Sequence, residues 1–292
     1  MQYDKSKFLI TKARKTKDFL ICIDSDGCAF DTMNSKHKLA FAPLLIEAFN
    51  LHEQYDELFN LWQKINLYSK LRGVNRFKGV VLFLDYAFEK KHLNFSAAET
   101  EFFTHYVLWT QSASVLSNKG LEKFIEKNPQ NTVAEKILTW SHAVNKKIAS
   151  LGSAEKKVFE NVFACIKHMS EHADIAVVSS ANKSEIFSEW THAHLLDFVQ
   201  TVCTQEDGSK KESSKKLLEL GYDTKNVLCL GDALSDLKTA EALACAFYPI
   251  IPDREETCWK QLHDKYLSLF FANRYSEKIE NELKEKLKEK LP

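Results

Sequence analysis

No run in this chain approaches the ~20 consecutive apolar residues that carry a helix across a bilayer, so no membrane partner is expected. The first 18 residues, MQYDKSKFLITKARKTKD, contain no apolar core of the kind a secretory signal requires. Net charge is missing too: 40 Lys+Arg stand against 40 Asp+Glu. A protein with no basic excess has no global attraction to nucleic acid or other polyanions, so none is expected as a partner. Glycine and proline are scarce, at 8 and 5 of 292 residues. Little therefore interrupts helices, and long ones are expected. No two of the 7 cysteines form a C-x-x-C pair, and their number is odd. Several sit inside apolar runs such as FLICI and VLCLG, which reads as small buried hydrophobes rather than a disulfide frame or a zinc site. That usage points to a reducing compartment, the cytoplasm.

What the chain does contain falls into two patterns. From about 34 to 170 apolar residues recur at spacings of three and four, as in Leu58, Trp62 and Ile65, or Val133, Ile137, Trp140 and Val144. Ser96 and Glu99 form a capping-box pair that opens one such helix. Trp109 and Trp140 lie on apolar faces and are expected in a core. Outside this stretch short apolar runs alternate with helical segments. FLICI (19–23), ADIAVVSS (173–180), FVQTVCT (198–204), NVLCLGD (226–232) and ACAFYPI (244–250) read as strands, with helices over roughly 183–196, 212–220 and 235–243. Strands that are continuously apolar and separated by helices predict a parallel sheet covered on both faces. The fold class is therefore α/β, with an all-helical insertion. The expected divisions are a basic extension over 1–18, an α/β core over 19–33 and 170–251, a helical insert over 34–169, and a C-terminal helical extension over 252–292. The first of these carries six Lys/Arg and reads as solvated. In the last, Ile279, Leu283, Leu287 and Leu291 are spaced four apart and predict an amphipathic helix lying on the body.

In open parallel sheets ligands bind beyond the carboxyl ends of the strands, so the residues that end each apolar run carry most information. The first run ends in Asp24-Ser-Asp26-Gly27. The second ends in Ser179-Ser180. The loop after the third holds Gly208-Ser-Lys210-Lys211. The fourth ends in Gly231-Asp232, with Asp236 four residues on. A calcium loop of the EF-hand type is excluded by spacing, because Ala29 and Ser35 stand where glycine and glutamate are needed. Two acids two residues apart repel, and something must offset that repulsion. A phosphoryl-transfer site does so. One carboxylate attacks phosphorus, a hard dication held by Asp24 and Asp232 screens the charge, a lysine neutralises phosphoryl oxygens, and Asp26 moves the proton of the leaving alcohol.

The order DxDG, strand-ending Ser, Lys, then GDxxxD resembles the haloacid dehalogenase-like hydrolase superfamily over about 19–33 and 170–250. The resemblance implies a Rossmann-like parallel sheet with a helical C1 cap that closes over the site. It implies Asp24 as nucleophile, Asp26 as general acid and base, and Ser179 with Lys210 on the phosphoryl group. It implies Mg²⁺ held by Asp24, the Asp26 backbone carbonyl and Asp232, with Asp236 in support. Family dehalogenases and phosphonate-cleaving members lack an acid at the position of Asp26, so DSDG implies phosphate-ester chemistry. Cys28 stands where the family often has Thr or Val, at a position expected to pack. Gly-Ser-Lys210 resembles the family's G-x-K-P, with Lys211 as the alternative. Ser180 and Lys211 are further candidates for the phosphate, and Arg72 and Arg76, around Gly73 and Asn75, for the anionic substrate. His105, His142, His168, His172, His192 and His194 show no metal-ligand pattern in sequence, and His192-Ala-His194 reads as a solvated helix end.

The expected function is a Mg²⁺-dependent phosphatase acting on a small phosphorylated substrate. A phosphomutase using the same intermediate, and a non-catalytic binding module on the same fold, are the alternatives. Substrate identity and oligomeric state are left open by the sequence.

Overall fold

The computed structural model describes residues 4–113, 115–152 and 155–292. The first three residues of the basic extension, and Ser114, Ser153 and Ala154 of the expected insert, lie outside the described residues. The chain divides into two compact units, Asn34–Gly152 and the pair Met1–Met33 with Ser153–Pro292.

The first unit is helical throughout its described residues. Its longer helices are Tyr55–Leu67, Arg76–Glu89, Ala97–Ser112, Asn118–Lys127 and Thr132–Ala149. They pack through the apolar stripes read from sequence. Trp62 and Trp140 are fully buried at its centre with ring centroids 5.9 Å apart, and Phe83 meets Trp62 edge-on at 5.9 Å. Trp109 is only partly buried and packs edge-on against Phe77. The Ser96 cap forms in both directions. The Glu99 amide donates to Ser96 Oγ at 3.2 Å and the Ser96 amide donates to Glu99 Oε2 at 3.0 Å, an arrangement that contributes about 1 kcal/mol to helix stability.

The second unit is built on five parallel strands: β1 (Phe19–Ile23), β2 (Ala173–Val178), β3 (Thr201–Cys203), β4 (Val227–Gly231) and β5 (Ala246–Pro249). Their order is β3-β2-β1-β4-β5. In register, Ile21 faces Ile175 on one side and Leu228 on the other. Both faces are buried, which is why the strands read as unbroken apolar runs. Ile21, Ile23, Ile175, Val177 and Leu230 belong to one core. Leu20, Cys22, Ala176, Val178 and Cys229 belong to another. All seven cysteines are buried and free.

Two segments differ from the sequence reading. The expected insert ran to 169, but the Val162–His172 helix belongs to the sheet unit. Its face of Val162, Cys165, Ile166 and Met169 packs in the same core as β1 and β2. Helical periodicity shows that a face is buried, not which core buries it. The basic extension is also not merely solvated. Phe8 is buried and meets Phe187 edge-on at 5.6 Å. The amides of Thr16 and Lys17 donate to Asp174 Oδ2 at 2.7 and 2.9 Å, and Tyr222 Oη donates to the same oxygen at 2.6 Å. At the far end of the chain, the Glu277–Lys290 helix buries Leu283 and Leu287 against the sheet unit, as the four-residue spacing predicts.

Asp174 is 2% exposed and gathers four donors, Thr16 Oγ1 being the fourth. Asp174→Ala removes the acceptor that all four share. Urea denaturation should show a loss of about 2–3 kcal/mol, and the Lys/Arg-rich segment 4–18 should become open to trypsin; a segment that stays protected would contradict its tethering by Asp174.

Candidate active site

With β2 and β3 on one side of β1 and β4 and β5 on the other, the chain reverses direction of travel across the sheet between β1 and β4. A crevice opens at such a point, beyond the carboxyl ends of the two strands. Asp24 follows β1 and Asp232 follows β4, so the topology brings them together across it. The Asp24 amide continues the ladder by donating to the Leu230 carbonyl at 3.1 Å.

The loop after Asp24 is wound tightly around one carbonyl. The Ser25 oxygen accepts from the amides of Cys28, Ala29 and Phe30 at 3.3, 2.9 and 3.0 Å. Gly27 sits at φ 77°, a left-handed conformation that glycine adopts without steric cost. Two tryptophans far away in sequence hold this loop. Trp190 Nε1 donates to Ser25 Oγ at 2.9 Å and Trp259 Nε1 donates to the Cys28 carbonyl at 2.8 Å. Both indoles are fully buried, and nothing in their local sequence marks them. Asp26 Oδ1 accepts from Thr32 Oγ1 on the same loop. Cys28 is fully buried, as its packing role requires, and burial beside the carboxylates pushes its thiol pKa well up.

Lys210 and Lys211 are separated by helix geometry. The box formed by Ser209 and Glu212 starts the Lys210–Leu218 helix, preceded by Gly208 at φ 117°. Adjacent residues in a helix point about 100° apart, so only one of the two can turn inward. That one is Lys210. Its Nζ lies 2.9 Å from Asp24 Oδ1 and 2.6 Å from Asp236 Oδ1. Lys211 is exposed.

Asp236 is drawn back onto the end of β4, where its Oδ2 accepts from the Ala233 amide at 3.2 Å. Gly231 makes the approach possible: a Cβ there would stand 2.4 Å from the Asp236 Cβ and 2.5 Å from Oδ2. Ser179 closes the strand end of β2. It is 5% exposed, its amide donates to the Cys203 carbonyl, and its Oγ accepts from the Ala181 amide at 3.2 Å. Ser180 is exposed.

Asp24, Asp232 and Asp236 are all buried, and each offers a carboxylate oxygen within 4.8 Å of the others. Burial pushes the Asp24 pKa well up; Lys210 pulls against that shift, and Asp236 and Asp232 add to it. For Lys210 burial favours the neutral amine, but the attraction of Asp236 and Asp24 outweighs it and the ammonium is held. Three carboxylates so placed are a set of hard oxygen donors, which fits a small divalent cation such as Mg²⁺.

A second acidic group emerges from the fold. Glu185 and Glu189, on the Lys183–His192 helix after β2, bring carboxylate oxygens within 4.8 Å of that of Asp26. Their i, i+4 spacing was the available signal, since it puts both on one helix face.

The two arginines have structural partners inside the helical unit. Arg72 is buried and its Nη1 donates to the Leu67 carbonyl at 2.9 Å. Arg76 Nη1 donates to Ser141 Oγ at 3.1 Å and Asn145 Oδ1 at 2.6 Å, with the guanidinium 4.9 Å over the Phe41 ring. The Arg76 contacts tie one helix to another and the Arg72 bond closes the turn after Tyr55–Leu67, duties the sequence reading did not assign to them. Among the described residues no helix is long and apolar enough to cross a membrane.

The profile of the haloacid dehalogenase-like hydrolase family matches residues 74–249. The match takes in Ser179, Lys210, Asp232 and Asp236 and begins beyond Asp24. No curated protein matches the chain. Among solved structures, a putative phosphoglycolate phosphatase from Lactobacillus delbrueckii subsp. bulgaricus is 14% identical, with a TM-score of 0.50 over 80% of this chain and 86% of that one. A haloacid dehalogenase-like family hydrolase from Streptococcus pneumoniae is 11% identical, with a TM-score of 0.42 over 84% of this chain and 92% of that one. At such identities the first of these likenesses speaks to the fold alone.

Removing Lys210 from among the acids tests the electrostatic account. Lys210→Met leaves buried carboxylates uncompensated and should cost about 3 kcal/mol in urea without divalent ions, whereas exposed Lys211→Met should stay within about 0.5 kcal/mol; equal costs would contradict the assignment of Lys210 as the buried partner.

Proposed function

Because this chain belongs to the haloacid dehalogenase-like hydrolase family, we propose that it is a Mg²⁺-dependent phosphatase of small phosphorylated molecules, working through an aspartyl phosphate on Asp24. The observation that carries the reading is the position of Asp24. It stands at the carboxyl end of the central strand, 2.9 Å from a buried lysine, in a group of three carboxylates, with a second acid on the same short loop.

Asp24 attacks phosphorus through a carboxylate oxygen. The phosphorus–ester bond breaks as the new oxygen–phosphorus bond forms, and the leaving alcohol takes a proton from Asp26. Asp26 then accepts a proton from water, which attacks phosphorus and releases inorganic phosphate and free Asp24. Nothing is oxidised or reduced. Lys210 neutralises negative charge on the phosphoryl oxygens during both displacements. The Ser179 hydroxyl holds a further oxygen. Ser180 and Lys211, both exposed, contribute at most from the rim.

The cation would be held by Asp24, Asp232 and the Asp26 backbone carbonyl, with Asp236 in support. When bound, Mg²⁺ supplies positive charge that lets an anionic nucleophile approach an anionic phosphoryl group. Asp236 also fixes Lys210, so its removal should damage both duties. Asp26 separates this reading from dehalogenation, which needs no proton for its leaving group.

Phosphate release from a panel of phosphorylated metabolites, with and without Mg²⁺ and with Asp24→Asn as the blank, tests the proposal. Mg²⁺-dependent release that disappears in the variant is expected. Turnover that persists in Asp24→Asn would overturn the nucleophile. Absence of release by folded, Mg²⁺-loaded protein would turn the reading toward a mutase or a binding module.

A further inference from the structure

Three histidines that lie far from the carboxylates gather on the surface of the sheet unit. His168 and His172 are four residues apart on the Val162–His172 helix, so both face the same way. His263 comes from a different part of the chain, the π-helical segment Leu262–Tyr266. The ring centroid of His168 is 5.5 Å from that of His172 and 5.4 Å from that of His263. His168 and His263 are half-buried and His172 is exposed. We propose that His168, His172 and His263 form a binding site for a transition-metal dication of the Zn²⁺ class, separate from the carboxylate site at the strand ends.

Three observations support this site. Imidazoles bound to one tetrahedral ion through metal–nitrogen bonds of about 2.0–2.1 Å hold their ring centroids roughly 5 Å apart, which is the spacing on both sides of His168. The second is the state of His263. Its Nδ1 lies 3.0 Å from Asp264 Oδ1, and Asp264 Oδ2 accepts from Lys260 Nζ at 2.8 Å. A carboxylate on Nδ1 leaves the other ring nitrogen, Nε2, as the one that can take a metal. A carboxylate behind a ligating imidazole is the arrangement that orients histidines at metal sites. The third is the backbone. A π-helical turn is uncommon and recurs where a helix must re-aim a side chain, and this one carries His263.

The three rings do not yet converge as a group. Among the described residues, only the two carboxylate groups have donor atoms all within 4.8 Å of one another. His172 is exposed at the last turn of its helix, and its rotation about χ1 and χ2 costs little and is fast. Imidazole selects Zn²⁺, Cu²⁺ or Ni²⁺ over Mg²⁺, so the two sites would not compete for the ion that each prefers. A bound ion would join the helix before β2 to the C-terminal extension, two segments about ninety residues apart.

The test is Zn²⁺ binding to the full chain in excess Mg²⁺, by calorimetry, with Co²⁺ absorption in the visible as a report on nitrogen ligation. The proposal expects one Zn²⁺ per chain at micromolar affinity or better. His168→Gln and His263→Gln should each weaken it by more than about tenfold, and Asp264→Asn by about tenfold, with Mg²⁺-dependent behaviour at Asp24 unchanged as the check on folding. Retained Zn²⁺ in an Asp232→Asn background would support the histidine assignment. Zn²⁺ binding that survives loss of both His168 and His263, or that vanishes with Asp232→Asn, would overturn it, as would no binding in excess Mg²⁺.

Discussion

The ion pair between Lys210 and two buried aspartates is the interaction on which the site depends. Three carboxylates lie close together at the end of a sheet, where water is scarce and like charges repel strongly. One lysine, 2.9 Å from Asp24 and 2.6 Å from Asp236, offsets part of that repulsion. The fold accepts this strain because the surrounding structure fixes every participant. The β1–β4 pairing places Asp24 and Asp232, a capping box aims Lys210, and Gly231 lets Asp236 fold back. A hydrophobic replacement of the group would cost less to fold. Its persistence as a charged cluster is understandable if a cation and a phosphoryl group complete it.

The support around the cluster is as specific as the cluster. Trp190 and Trp259 donate hydrogen bonds to the loop that carries Asp24 and Asp26. The Trp190 indole comes from the helix that also presents Glu185 and Glu189, and the Trp259 indole from the C-terminal extension. The extension thus holds the loop that carries Asp24 and Asp26, beyond merely covering the sheet. That loop rests on side chains about 165 and 230 residues away from it in sequence.

Much of this was legible in the sequence. All five strands were readable because a sheet buried on both faces needs unbroken apolar runs, and strand ends mark where ligands bind. Asp24, Ser179, Asp232 and Asp236 followed from that rule. The preference for Lys210 over Lys211 came from a resemblance and not from that rule; its physical ground is helix phase, which the Ser209–Glu212 box sets. The Trp190 and Trp259 donors were hidden because an indole in an apolar run looks like ordinary core. The packing contacts of Arg72 and Arg76 were not legible, because sequence shows charge but not the carbonyl or hydroxyl that each meets. The histidine trio was invisible for a simpler reason: His263 reaches His168 only through the packing of two helices distant in the chain.

The most direct test of the central claim is thermal unfolding of wild type and Asp232→Asn, each with and without Mg²⁺. Crowded carboxylates awaiting a cation predict that the variant, lacking Mg²⁺, melts at or above wild type. They predict also that Mg²⁺ raises the wild-type Tm while leaving the variant nearly unmoved. A wild type indifferent to Mg²⁺, or a variant that gains as much as wild type, would contradict the account.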